Sequence, residues 1–290
     1  MNDDEYLEGD DIPREEANAQ RDATAERAAD VARARPFLAT QYMVAVGSLD
    51  ADGAPWTSLM FGKPGFVRTL DGAAIQLGIP IKERDLADPV WDNMAVDAEL
   101  GLQFIDLAAD RRYRVGAAVQ RLDRRGAELS VREACPDHPG QPGHGARRAL
   151  RQLGEPRLPV QTAHGTLLRG AVERIVRRAD TLFLTRHHAG RGVGTHHHGG
   201  EPGFVTLTGP GMLRVPDHAD AAGETACDPR AGICIPDFDH GQVLQLTGQV
   251  RSRIDAGGRH WEFAVARWIL RDMPRAMAWD VVDVALLDPA

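Results

Sequence analysis

The chain has 290 residues, 43% hydrophobic and 26% charged, with a formal net charge of −8, which is the balance of a soluble globular protein with room for two domains of about 100–150 residues. No stretch approaches the roughly 18 apolar residues of a membrane-spanning helix, and the three cysteines, Cys135, Cys227 and Cys234, lack C-x-x-C spacing, so they read as reduced thiols and not as a disulfide framework or zinc knuckle. Residues 1–16 carry eight acids against one base and leave the remainder at −1, so no basic excess exists to hold nucleic acid.

The N-terminus has no basic segment followed by an apolar core, and the expectation is a cytoplasmic protein whose residues 1–36 comprise a solvated acidic leader and an N-terminal helix. Residues 14–35, rich in Ala, Glu and Arg and free of Gly, predict that helix, with Pro13 suited to its first turn. Residues 37–134 form a first β-rich repeat. Strand candidates fall at residues 42–46, 73–77, 100–107, 113–122 and 128–132, with a hairpin turn at Asp50-Ala51-Asp52-Gly53. Between residues 82 and 96 the pattern turns helical, with Leu86, Val90 and Met94 on one side. Residues 135–169, crowded with Pro, Gly and His, read as a connector with a short helix at about 146–153. The second repeat, 170–290, has strand candidates at residues 181–185, 203–207, 212–215, 231–235, 242–254 and 261–270. Many short strands and few helices predict a mainly β chain built of barrels.

The chain repeats itself. Gly62-Lys63-Pro64-Gly65-Phe66-Val67 returns 138 positions later as Gly200-Glu201-Pro202-Gly203-Phe204-Val205. Asp97-Ala98-Glu99-Leu100-Gly101-Leu102 through Asp106 returns at an offset of 131 as Asp228-Pro229-Arg230-Ala231-Gly232-Ile233 through Asp237. Two ordered echoes at nearly one offset indicate a tandem of like units.

Each unit runs strand, turn, strand carrying G-x-P-G-F-V, strand, helix, strand ending in Asp, then a long strand. In these residues, and in Asp52-Gly53-Ala54-Pro55-Trp56-Thr57-Ser58 and Asp110-Arg111-Arg112-Tyr113-Arg114-Val115, the chain resembles the pyridoxamine 5'-phosphate oxidase-like family of FMN-binding split barrels in its two-repeat form. The resemblance covers about residues 37–270. It implies tandem split β-barrels, a flavoprotein oxidoreductase acting on a small-molecule substrate or reductant, no membrane or nucleic-acid partner, and either a monomeric pseudo-dimer or a homodimer. It also implies a flavin groove between the barrels. The family's Ser-His-Arg before the second Gly-Gly is here His196-His197-His198, and its polar loop after Pro216-Asp217 is missing. Those departures remove phosphate donors and keep open an alternative in which the site takes haem or a transition metal, or no cofactor.

The candidate cofactor-binding residues are Trp56, Thr57, Ser58, Arg111, Arg112 and Arg114 from the first repeat, and His196, His197, His198, Gly199, Gly200, Pro216 and Asp217 from the second. Arginines suit a dianionic phosphate, and glycines permit close backbone approach. Against these, Pro-Gly-Phe also reads as a barrel corner with Phe66 and Phe204 in the core, and the arginines as a solvated edge that resists strand pairing. On a strand, His196 and His198 share one face and His197 takes the other. No carboxylate or Cys stands at standard metal spacing beside them, so no metal ligand is assigned. No nucleophile elbow or P-loop occurs, so no catalytic residue is assigned.

Overall fold

The structure is a computed structural model that describes residues 14–137, 147–216, 227–256 and 258–282. Residues 1–13 of the acidic leader, His138, His144 and Asp217 lie outside them. The first half contains α1 (Arg14–Thr40), β1 (Met43–Leu49), β2 (Pro55–Phe61), β3 (Val67–Arg68), β4 (Ala74–Leu77), a 3₁₀ turn at Ile81–Glu83, α2 (Val90–Val96), β5 (Glu99–Asp106), β6 (Arg111–Leu122) and β7 (Ala127–Asp137). Two strands follow, β8 (Arg148–Pro156) and β9 (Thr162–Gly165). The second half contains α3 (Ala171–Arg178), β10 (Thr181–His188), β11 (Gly192–Gly199), β12 (Thr206–Gly209), β13 (Met212–Pro216), β14 (Cys227–Asp237), β15 (Gln242–Asp255), β16 (Gly258–Asp272) and β17 (Arg275–Val281).

The sequence repeat becomes a repeat of topology. One antiparallel sheet has the order β2-β1-β5-β6-β7-β4-β3, and the other β11-β10-β14-β15-β16-β13-β12 with β9 added beside β16. Strand for strand the two orders agree. All seven strands of the first sheet reach one core through Val44, Met60, Val67, Ile75, Leu102, Val115 and Leu129. A sheet whose edges and centre share a core has curled around it, and that curl makes the barrel. Phe37 and Leu38 of α1 and Trp91 and Met94 of α2 close this barrel, and Val172, Ile175 and Val176 of α3 close the other. No helix among the described residues is long and apolar enough to cross a membrane.

The echoed motif is a corner in both barrels. The amides of Gly62 and Gly200 donate to the carbonyl oxygens of Tyr42 and Asp180, each at 3.0 Å, and those of Phe66 and Phe204 to Lys63 and Glu201, each at 2.9 Å. A Cβ on Gly62 or Gly200 would lie 2.3 or 2.6 Å from the ring of Phe66 or Phe204. Gly65 and Gly203 turn the chain at φ 90° and 97°, in the left-handed region that glycine reaches without strain.

β1 is buried on both faces, with Val44 and Val46 in its own barrel and Met43 and Ala45 in a third core. That core takes Leu59 and Ile105 from the first half and Phe183, Cys234 and Val243 from the second, so it fuses the two. Beside it the backbones nearly touch. A Cβ on Gly101 would lie 2.6 Å from the Val193 carbonyl oxygen, and one on Gly232 2.7 Å from that of Pro55. Thr195 Oγ1 donates to the Gly101 carbonyl at 2.9 Å, and Thr57 Oγ1 to the Gly232 carbonyl at 3.0 Å. Thr185 Oγ1 joins them, 2.7 Å from Thr57 Oγ1 and 3.0 Å from Thr195 Oγ1. The glycine–carbonyl and threonine–carbonyl contacts have their mates at the repeat offsets, with Thr185 in the place of Gly47, so a pseudo-two-fold axis passes between the halves.

The elements depart from expectation where long-range partners decide. α1 runs past residue 35 through Pro36 to Thr40 because Phe37 and Leu38 are buried in the first barrel. The helix expected over 82–96 shrinks to α2, since Pro89 biases the preceding residue away from helix and the Asp88 carboxylate accepts the Val90 amide at 3.1 Å. Residues 148–153 form strand and not helix, because β8 pairs with β17, a partner no local pattern reveals. The strand expected from residue 203 begins at Thr206, as the corner takes the residues before it. α3, β9 and β17 were not among the expected elements. Gly232→Ala forces the barrels apart at one of their close backbone approaches and lowers unfolding stability by roughly 1–3 kcal/mol in chemical denaturation.

Candidate functional site

The pseudo-two-fold relation creates two equivalent grooves between the barrels. One is bounded by β2, β15 and β16, the other by β11, β6 and β7. At the repeat offsets Trp56 corresponds to Gly194, Ser58 to His196 and Gln245 to Arg114. Gln245 pairs with Ile269 as Arg114 pairs with Cys135, and Thr247 pairs with Arg267 as Gly116 pairs with Glu133.

The groove at Trp56 is full. Trp56, 3% exposed, donates through Nε1 to Asp50 Oδ2 at 3.1 Å. Arg267 lies 5.3 Å over its ring and pairs with Asp50 at 2.6 Å. Deeper, the buried Arg271 guanidinium bonds Gln245 Oε1 at 2.8 Å, Asp88 Oδ2 at 2.5 Å and Asp85. Ser58 Oγ donates to Asp88 Oδ1 at 2.5 Å, and Gln245 Nε2 to Ser58 Oγ and the Thr57 carbonyl, both at 2.9 Å. Charges removed from water are tolerable when matched this closely.

The groove at Gly194 holds a cavity of about 250 Å³. Leu102, Val115, Leu184, Val193 and Trp261 give it apolar surface. Arg114, Arg186, Arg191, His188, His196 and His198 give it donors, with Glu133 and Cys135 beside them. Alternation along the β10–β11 hairpin explains the set: Leu184, Arg186 and His188 share a face with Gly194, His196 and His198. Arg114 Nη1 lies 3.4 Å from both ring nitrogens of His196. His198 meets Trp261 edge-on at 4.6 Å. Burial, then Arg114 and the neighbouring imidazoles, push His196 down to about 3. Burial and then Arg186 lower His188 as well.

His197 takes the opposite face, 5.2 Å from Phe183 of the third core. Neither of its ring nitrogens has a hydrogen-bond partner among the described residues. Burial first, then Arg112, holds it well below the ordinary histidine value. Its mate at the repeat offset is Leu59, a core residue.

Of the residues expected at a cofactor site, the structure brings together Arg114, His196 and His198. Trp56, Thr57 and Ser58 are committed to internal bonds of the closed groove and the pseudo-axis. Arg111 lies over the Phe37 ring at 4.6 Å, and Arg112 pairs with Asp110 at 2.8 Å. Gly199 pairs with Thr181 inside the sheet, Gly200 forms the corner, and Pro216 pairs with His260 at the end of β13. Arg186, Arg191, Glu133, Cys135 and Trp261 escaped the sequence reading. The period-two pattern from Leu184 to His188 could have found Arg186, but only once β10 and β11 were known to pair. Among the described residues no group of three or more His, Cys, Asp and Glu is placed to hold a metal ion.

A larger cavity of about 630 Å³ lies at the first barrel's corner, where several of the charged side chains are paired. Lys63 pairs with Glu155 at 2.6 Å, Arg275 with Glu83 at 2.5 Å and Arg121 with Glu128 at 2.8 Å. The amides of Gly62, Gly65 and Gly78 are all bonded to backbone carbonyls. It is lined by none of the residues expected at a cofactor site, whereas the smaller cavity gathers Arg114, His196 and His198, so the smaller cavity is the candidate.

No protein-family model matches the chain, and no curated protein matches it in sequence. Among solved structures it is similar to HupZ of Group A Streptococcus, at 12% identity over 36% of this chain and 91% of that one, with a TM-score of 0.28. A candidate pyridoxamine 5'-phosphate oxidase of Lactobacillus delbrueckii matches at 16% identity over 35% and 89%, with a TM-score of 0.27. The MrkH–c-di-GMP complex of K. pneumonia matches at 9% identity over 83% and 85%, with a TM-score of 0.26.

His197→Leu removes two buried, unpartnered nitrogens and restores the mate's residue type, so it raises stability by roughly 1 kcal/mol in urea unfolding. In that background His196, with a smaller share from His188, sets the acid limb. Below its ordinary value of 6.5 the unfolded chain binds a proton that the folded chain refuses until about 3. Stability therefore falls as pH drops from 6.5 towards 3, by up to about 1.4 kcal/mol per pH unit. His196→Gln flattens this limb, read as urea midpoints at neutral pH and at pH about 5.

Proposed function

We propose that the cavity at Gly194 binds one flavin mononucleotide and that the chain is a split-barrel flavin oxidoreductase acting on a small-molecule substrate or reductant. The observation that carries this reading is the charge of the cavity. Three guanidiniums, on Arg114, Arg186 and Arg191, stand against one carboxylate, on Glu133, beside apolar surface that includes Trp261. That combination suits a planar aromatic body with a dianionic phosphate. The arginines replace the phosphate donors that His196-His197-His198 and the segment after Asp217 do not supply.

In this reading Arg114, Arg186 and Arg191 hold the phosphate, and Trp261, Val193 and Leu184 cover the ring. His188 and His196, kept neutral, offer one N–H and one lone pair each. The flavin supplies the hydride chemistry, while the chain supplies binding, orientation and exclusion of water. The resemblance points the same way, and the two repeats, 37–134 and 170–290, close the groove within a single chain, as a monomeric pseudo-dimer requires. The haem or transition-metal alternative is weaker on one observation: Arg114 lies against both nitrogens of His196, the approach an iron would take.

The reading is tested by absorbance and fluorescence titration of the purified protein. Flavin mononucleotide survives desalting, and riboflavin, lacking the phosphate, binds at least about tenfold more weakly. Arg114→Gln weakens flavin mononucleotide roughly tenfold and leaves riboflavin unchanged. A colourless protein after desalting sinks the reading, and a Soret band on adding haem moves the alternative to first place.

A further inference from the structure

We propose that Gly194 is the residue that makes one groove a ligand site, and that Trp56, its mate, is a built-in occupant of the other, so that the chain takes one planar ligand and not two. The ligand's identity rests on the flavin reading; the asymmetry does not.

The two positions are structurally the same. Trp56 pairs with Ser48 in the first barrel and Gly194 with Arg186 in the second, each pair related by the same offset. Gly194 does not have the positive φ that would demand glycine. The three atoms nearest a Cβ there all belong to imidazoles, His196 Nε2 at 3.4 Å and His188 Cδ2 and Nε2 at 3.7 Å. Both rings line the cavity, so a side chain at 194 enters the ligand space and not the backbone.

The other groove shows what such a side chain does. The Trp56 indole is buried with its N–H bonded to Asp50, and Arg267 closes over its face. A planar aromatic group beneath a guanidinium is the arrangement a planar ligand would adopt. The rim has changed to match, since Arg267 stands where the open groove has Glu133. The floor has changed too, with Arg271 matched to Asp85, Asp88 and Gln245. The Arg271 donors and the Asp88 carboxylate are spent on one another, and nothing there awaits a ligand.

Cys135, which lines the open cavity and is partly exposed, reports on this without any ligand. Cys234 is fully buried and its thiol is pushed up by burial, so it stays unreactive, and Cys227→Ser removes the remaining thiol. In that background a water-soluble aromatic disulfide labels Cys135. Gly194→Trp slows the labelling at least tenfold with unchanged circular dichroism, while Gly194→Ala changes it little. An unchanged rate in folded Gly194→Trp overturns the proposal. Should Gly194→Trp not fold, Trp56→Gly decides: indole raises its melting midpoint and leaves that of the wild type unmoved, and a folded Trp56→Gly that ignores indole overturns the proposal. Flavin mononucleotide saturates the wild type at one per chain, and two per chain overturns the proposal. Failure of the wild type to bind the flavin defeats the functional reading alone, and the Cys135 rates still decide this one.

Discussion

The contact on which the rest depends is the approach of backbone to backbone at Gly101 and Gly232. Only hydrogen fits between each of these α-carbons and the carbonyl of the facing barrel. Because the side chains are absent, Thr57 and Thr195 can cap the glycine carbonyls across the boundary. That spacing sets the depth of both grooves and brings Met43, Ala45, Phe183 and Cys234 into one apolar core. A protein interior packed to crystal-like density transmits such a spacing without slack.

From a nearly symmetric frame the chain builds an asymmetric interior. One groove is solved as a protein core, with an indole, matched ions and buried amides; the other is left concave and rich in cations. The same backbone serves both, which separates what the fold determines from what individual side chains determine. Three guanidiniums and one carboxylate line the open groove, whereas the closed groove sets Arg271 against Asp85 and Asp88.

The fold was legible because its signals are local or repeated. G-x-P-G-F-V announced the corner in both halves, since the glycine is demanded by the phenylalanine four residues on. The strand pattern expected over residues 242–254, with its alternation across Val243-Leu244-Gln245-Leu246-Thr247-Gly248-Gln249-Val250, became β15. The site was legible only in part. Arg114, His196 and His198, singled out as residue types, line the candidate cavity, whereas Trp56 and Ser58, expected as ligand contacts, are placed in internal bonds of the other groove. Nothing local says that Ser58 will meet Asp88 or that Arg267 will cover Trp56; those partners are set by strand register across the pseudo-axis. β8 was misread for the same reason, as the residues that make it a strand lie more than a hundred positions away in β17.

That ribbon of β8 and β17 has a consequence for how the molecule is made. Trp279 of β17 sits 5.5 Å from Tyr42, next to the first strand, and 4.6 Å from Phe238 of the second barrel. The seal over the core between the barrels thus comes from residues synthesised after every other described strand. Such non-local closure makes the final step slow relative to the folding of each barrel. During translation the first barrel can gather its own core early, yet its outward apolar face on β1 and β2 stays uncovered until β10, β14 and then β17 emerge. The nascent chain therefore passes through a stage in which that face is open to the wrong partner, a hazard common to proteins built from fused units.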